Sequence, residues 1–381
     1  MQPDSGEGDF DALGITRDQL RGCSLLGSSL DDRNKSYKFY WLLALLELIT
    51  RDQTKRRWKV VDVTTEMVVL AMGARAYFQL NFPDDDKLAE VVDQIAKKVK
   101  FSPSCHVDRG AIGRELFDLP QGGLARYVPF RFVRPWVPEA RGILDSKVNS
   151  VVADGTRSSE YSGPYRFNGS HDEIEVPSSW ARFLRQNATV IRGWAERRLI
   201  SFLSDFNPPI SNVPCKLFVD PQRNDLTRER AFWRRVMSSV DIRDIYNQKS
   251  VDPNDFELDH FAPWRLVAHD EMWNLIPCDP RTNSSKSDGF PELGQYLERL
   301  VDVHHTAITE SVDDDSRERQ VFIQQIKYHV FRSSEHSTCE LGRHGIWRKE
   351  DLIVAYQRHF EELRFRALDL GFNEWNWISD G

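Results

Sequence analysis

Long hydrophobic runs are missing from this 381-residue chain. A membrane-spanning helix needs roughly 20 consecutive apolar residues. The best candidate, Phe39 to Ile49, is too short and is flanked by charge, so a protein built on helical spans is not expected. The first residues, Met1 to Asp11, are acidic and glycine-rich, which does not fit a secretory leader. Cysteine is scarce. The five cysteines, Cys23, Cys105, Cys215, Cys278 and Cys339, are odd in number and form no C-x-x-C pair. That excludes a zinc ribbon held by four cysteines and points to a reduced, cytoplasmic setting. Excess positive charge is also missing. The formal net charge is −7, which excludes a nucleic-acid binder that is basic all over. No internal repeat and no low-complexity tract is found.

What is present is ordinary for a globular protein: 40% hydrophobic and 29% charged residues, with length enough for two or three domains. The charge is segregated. Residues 182–235 hold eleven Lys or Arg against five Asp or Glu, residues 34–60 hold seven against two, and the stretch 302–318 is acidic. Each patch can equally be a solvated helix face.

Apolar periodicity and Gly/Pro punctuation give the expected organisation. Residues 1–33 form a leader, partly disordered. Residues 34–240 form a helical domain with an irregular, extended segment at 119–177. Residues 241–290 form a compact motif, and residues 291–381 a C-terminal helical region. Helices are predicted at Phe39–Ile49, Val61–Leu80, Lys87–Val99, Ser178–Ser204, Leu226–Val240, Leu293–Val303, Arg317–Phe331 and Lys349–Leu368. Asp84 to Asp86 offer a cap to the third of these, and Ser178 or Ser179 a cap to the fourth. In the prolyl segment, Tyr127, Phe130, Phe132 and Trp136 alternate with Arg126, Arg131 and Arg134. That pattern reads as a strand with one buried face, or as a stacking surface for bases.

The chemistry is concentrated between Phe256 and Asp288. Phe256 to Phe261 alternates like a strand that delivers Asp259 and His260 at its end. Trp273 to Ile276 is a second short apolar run. Asp279 followed by Pro280 is a helix cap followed by a first-turn proline. Asn283 and Lys286 then fall three residues apart on one helical face. The predicted order is strand, loop, strand, helix. A carboxylate, an imidazole and an amide oxygen would converge as an oxygen-rich site for a hard cation such as Mg²⁺. A neutral imidazole beside it can take a proton from water, and Lys286 can hold a phosphate as a point charge.

This segment resembles the HNH, or ββα-metal, endonuclease family. It carries Asp-His, then Pro, then Asn, then a second Asn followed by x-x-Lys-x-Asp. The intervals His260 to Asn274 and Asn274 to Asn283 are similar to those in the HNH domain of the CRISPR effector nucleases. The resemblance covers residues 256–288, under a tenth of the chain. It implies that Asp259 and Asn283 ligate Mg²⁺ or Mn²⁺, that His260 is the general base, and that Asn274 braces the loop carrying it. Lys286 joins the catalytic set. The implied reaction is phosphodiester hydrolysis leaving a 5′-phosphate and a 3′-hydroxyl. Two departures matter: many members have His where Asn283 stands, and the framing zinc cysteines of some members are absent. The blocks Asn34 to Trp41 and Tyr127 to Phe132 resemble, more weakly, the leading region of bacterial HNH-domain proteins, several of them from anti-phage or restriction loci.

The expected protein is therefore mainly α-helical (α+β), with a small ββα-metal HNH motif in the C-terminal third. It acts on DNA in preference to RNA, in bacterial defence against phage or foreign DNA, with a defence-system protein as a partner and no membrane. Arg228, Arg230, Arg234, Arg235 and Arg281 are the expected nucleic-acid contacts. The rivals are a nucleic-acid-binding subunit silent until a partner arrives, and an interaction protein with a relic motif. His304 and His305 read as helix-surface residues, and His336, Cys339 and His344 as a chance grouping rather than a zinc site.

Overall fold

The computed structural model describes residues 17–31, 35–99, 101, 108–118, 123–207, 212–218, 225–310, 317–331 and 347–378. Residues 1–16 of the leader and the grouping of His336, Cys339 and His344 lie outside them. The chain forms two compact units, Met1–Pro209 with Lys216–Pro221, and Ile210–Cys215 with Gln222–Gly381.

The first unit contains α1 (Arg17–Ser29), α2 (Tyr37–Arg51), β1 (Arg57–Lys59), α3 (Val60–Met72), α4 (Lys87–Val99), α5 (Arg109–Asp118), α6 (Leu124–Val133), α7 (Asp145–Arg157), β2 (Arg166–Phe167), β3 (Glu173–Glu175), α8 (Ser178–Gln186) and α9 (Ala188–Ser204). Its centre is α2, buried from Lys38 to Leu46 and again at Ile49. The short strands form an antiparallel sheet in the order β1-β3-β2. Asp86 caps α4: one carboxylate oxygen accepts from the Leu88 amide at 2.9 Å, and the other accepts from the Ser36 amide at 2.6 Å.

Three expectations fail here, wholly or in part. Residues 119–177 are extended only toward their end, where β2 and β3 lie; α6 and α7 make the earlier part helical. Leu124, Val128 and Phe132 recur every fourth residue and are buried, so helical burial wins over the alternation of arginine and aromatic. Arg131 is tied to α7, donating to Asn149 at 2.8 Å and to Asp145 at 2.7 Å. The helix predicted over Ser178–Ser204 is broken at Asn187, whose side chain donates to the Phe183 carbonyl at 2.9 Å while its own carbonyl accepts from the Ile191 amide at 2.9 Å. Pro177, not Ser178 or Ser179, stands at the start of α8, and no side chain caps it.

Helix α10 (Val213–Phe218) spans the division between the units. The second unit continues with α11 (Thr227–Ser239), β4 (Glu257–His260), α12 (Trp264–Val267), β5 (Leu275–Cys278), α13 (Pro280–Lys286), β6 (Phe290–Pro291), α14 (Leu293–Glu310), α15 (Arg317–Gln325), α16 (Lys349–Asp369) and β7 (Glu374–Trp375). The division falls before α11, not at residue 240. Phe232, Trp233 and Val236 of α11 share one core with Leu275, Tyr296, Phe322 and Phe360, so the motif and the helices around it are a single packed body.

Strands β4 and β5 pair antiparallel, with Asp259 opposite Ile276 and His260 opposite Leu275. Pro277 is tolerated opposite Leu258 because a two-stranded ribbon leaves one edge of each strand without a ladder partner. His304 is not at a surface. It is fully buried, its ring nitrogens bonded to the Tyr356 hydroxyl at 2.9 Å and the Leu275 carbonyl at 3.1 Å, and burial pushes its pKa down to about 3. A neutral imidazole thus ties β5 to α14 and α16. No described helix is long and apolar enough to cross a membrane.

Candidate active site

Alternation along β4 puts Glu257 and Asp259 on one face and Leu258 and His260 on the other. Helix α13 starts as its sequence requires. The Asp279 carboxylate accepts from the Arg281 amide at 2.8 Å, and Pro280 fills the first turn. The segment before β4 is stitched to the same helix. Asp244 accepts from the Asp279 amide at 3.0 Å and the Tyr246 amide at 2.8 Å, and Asn247 donates to the Thr282 hydroxyl at 2.9 Å. Burial raises the Asp244 pKa, and those donors offset part of the rise.

Asp259 is 3% exposed and accepts from two groups: the Lys286 ammonium at 3.0 Å and the Tyr246 hydroxyl at 2.5 Å. Burial first, and the Asp259 charge second, raise the Tyr246 pKa, so its phenol stays a donor. Lys286 is 2% exposed and also donates to the His260 carbonyl at 2.7 Å. It therefore faces inward as the counter-ion of Asp259, where the sequence placed it as a phosphate contact. Removing one partner of such a pair strands a buried charge, at a cost of about 3–5 kcal/mol.

His260, 5% exposed, turns the other way and pairs through Nε2 with the Asp270 carboxylate at 2.9 Å. Asn274 is wholly buried and clasps the residue after Phe261: its Oδ1 accepts from the Ala262 amide at 2.7 Å and its Nδ2 donates to the Ala262 carbonyl at 2.9 Å. The Phe261 amide also donates to the Asn274 carbonyl at 2.8 Å. The loop after His260 is thus bonded through both backbone groups of one residue.

Asn283 is half-buried in the first turns of α13 and donates through Nδ2 to Glu257. Asp259, His260 and Asn283 share one strand–helix unit, but their side chains do not show the expected convergence: Asp259 turns to Lys286 and Tyr246, His260 to Asp270 on the other face of β4, and Asn283 to Glu257. Among the described residues no three His, Cys, Asp or Glu side chains gather as a metal cage. The donors on the β4–α13 seam are the Asp259 and Glu257 carboxylates and the Asn283 amide, all of them oxygen ligands. Such a set suits a hard divalent cation that keeps several waters, and it fits Mg²⁺ or Mn²⁺ better than a soft metal.

The arginines divide. Arg230 donates to the Phe256 carbonyl at 2.7 Å, and its guanidinium lies 5.8 Å from the Phe256 ring centre. Arg234 lies 5.7 Å from the same ring and donates to the Pro253 carbonyl at 3.4 Å. Arg235 pairs with Glu318 at 3.5 Å. Arg228 and Arg281 are exposed.

Sequence reasoning missed Tyr246, Asp244, Glu257 and Asp270. Glu257 was open to detection, since position i−2 in a strand shares the face of Asp259. The other three act across 10 to 35 residues, and no local pattern announces them.

Residues 244–292 match the family model of HNH endonucleases. The match begins at Asp244 and ends just beyond β6, so it encloses the stitched turn, both strands and α13. No curated protein and no solved structure matches the chain. The chain carries an HNH endonuclease domain, the mark of a nuclease, and such domains generally use divalent metal ions and bind nucleic acid.

Proposed function

We propose that the chain is a divalent-metal-dependent endonuclease that hydrolyses phosphodiester bonds in DNA. The observation that carries the reading is the ββα unit itself. It presents Asp259, His260 and Asn283 from one hairpin and one helix, with Asn274 fixing the loop between them. Asp259 and Asn283 are the residues that would hold Mg²⁺ or Mn²⁺. When bound, the ion supplies charge stabilisation to the phosphate and the leaving oxygen. His260 takes a proton from the attacking water. The water oxygen bonds to phosphorus, the bond to the 3′ oxygen breaks, and the departing oxygen takes a proton from solvent, so the products are a 5′-phosphate and a 3′-hydroxyl. Arg281, exposed at the start of α13 two residues from Asn283, contacts a neighbouring phosphate, and Arg228 is a further candidate. DNA as the substrate and defence against foreign DNA as the setting rest on the resemblance of residues 256–288 and of the blocks Asn34 to Trp41 and Tyr127 to Phe132. A cytoplasmic location rests on the cysteine usage.

A second reading is favoured by the buried Asp259–Lys286 pair: the nuclease is silent until substrate or a partner protein draws Lys286 away. Supercoiled plasmid incubated with Mg²⁺, Mn²⁺ or EDTA tests both. Wild type is expected to nick or linearise it only with metal, and His260→Ala to be slower by about 10²-fold or more. Equal cutting by His260→Ala overturns the first reading. Cutting that appears only with a cell extract supports the second.

A further inference from the structure

We propose that Asp270 is a positioning residue for His260, selecting the tautomer in which Nε2 carries the proton and Nδ1 is left to receive one. The inference rests on the nuclease reading only for its consequence; the hydrogen bond stands by itself. A carboxylate can only accept. At 2.9 Å from Nε2, it makes Nε2–H the stable arrangement of a neutral ring and fixes the ring's rotation. Both side chains are shielded, at 6% and 9% exposure, so solvent does not supply the alternative acceptor.

Other roles for Asp270 fit less well. It lines a cleft of about 520 Å³ with Asp225, Arg228, Glu229 and Glu271. The Asp270 side chain is only 9% exposed and is bonded to His260 at 2.9 Å, so its carboxylate is turned inward rather than toward substrate. The neighbouring imidazole, His269, is otherwise engaged: its Nδ1 accepts from the Glu271 amide at 3.3 Å, and its ring packs 5.2 Å from Trp273. The loop does not need Asp270 as its anchor either. Asn274 clasps Ala262, and the Met272 amide donates to Gln325 at 2.8 Å. With Nε2 committed, Nδ1 is the one ring nitrogen able to take the proton from water as the water oxygen bonds to phosphorus.

The test uses Asp270→Asn, which keeps size and hydrogen bonding but can donate through its amide. A role limited to holding the loop is met by Asn as well as by Asp. A role in tautomer selection is not, because the amide can deliver its own N–H to Nε2 and move the proton to Nδ1. The readout is ¹⁵N-histidine NMR of the full chain, without metal or DNA, with His260 assigned by its loss in His260→Gln. Wild type is expected to show a protonated Nε2 and an unprotonated Nδ1. Asp270→Asn is expected to shift His260 toward the opposite tautomer. Plasmid cleavage in Mg²⁺ is expected to lose 10²-fold or more in kcat, with KM within twofold, in line with the loss that the wrong tautomer causes in a serine protease triad. Wild-type protein with Nδ1 protonated overturns the proposal, even if the variant does not fold. So does an Asp270→Asn protein whose tautomer and kcat are unchanged. A tautomer shift in a protein that never cleaves leaves the positioning role intact and removes the nuclease reading instead.

Discussion

The β4–α13 seam and the arginine face of α11 use charge in opposite surroundings. In the seam, Asp259 and Lys286 are 3% and 2% exposed, and each makes two hydrogen bonds. On α11, Arg235 keeps 48% of its side chain in water and reaches Glu318 at 3.5 Å. The first arrangement fixes a carboxylate in one place, and its loss is costly because a desolvated charge is left behind. The second contributes about 0–1 kcal/mol. The two regions also share one lesson. Lys286, Arg230 and Arg234 all read in sequence as phosphate contacts, and all three donate to this chain's own carbonyls. A long cation near a nuclease motif is as useful for tying the motif together as for holding substrate.

The largest effect is expected in the seam. Lys286→Met leaves Asp259 buried with only Tyr246 as a partner and should destabilise the protein by about 3–5 kcal/mol in EDTA, read from denaturant unfolding. Saturating Mg²⁺ should restore part of that loss, since an ion at Asp259 replaces the missing charge and binds the folded state alone. An undiminished midpoint in EDTA would place Lys286 with the surface arginines and collapse the contrast.

A smaller loss is expected one layer away. Asn274→Ala strands the Ala262 amide and carbonyl and should cost on the order of 2–4 kcal/mol. Faster hydrogen exchange at the Ala262 amide is the specific sign. Loss of stability without that change would mean that the clasp is not what Asn274 supplies.

The smallest effect separates the arginines. Arg281→Ala should weaken DNA binding and lower the slope of log affinity against log salt by about 0.9, the value for one phosphate contact. Arg234→Ala should leave the slope unchanged, because its guanidinium is spent on Pro253 and Phe256. The reverse result would move the nucleic-acid groove to α11.

Much of this was legible in the sequence wherever the cause is local. Asp279 with Pro280 announces the start of α13, since a cap and a fixed φ act within one turn. Helix α4 and the order strand, loop, strand, helix follow from periodicity and punctuation. Three features were not legible because their cause is distant. The alternation at Tyr127 to Arg134 looked like a strand, and burial of Leu124, Val128 and Phe132 made it a helix. His304 lies on a helix with polar neighbours and is buried because Tyr356 and Leu275 receive it. The site's inner partners, Tyr246 on Asp259 and Asp270 on His260, are set by the folded core, and nothing in their own neighbourhoods marks them.

The central claim is that one divalent ion is held by Asp259 and Asn283 beside His260. Titration of the metal-free protein with Mn²⁺, followed by electron paramagnetic resonance, tests it without asking for catalysis. The account predicts one bound Mn²⁺ per chain in wild type and in His260→Ala, and loss of that site in Asp259→Ala and in Asn283→Ala. Undiminished Mn²⁺ binding in both ligand variants, or none in wild type, would contradict it.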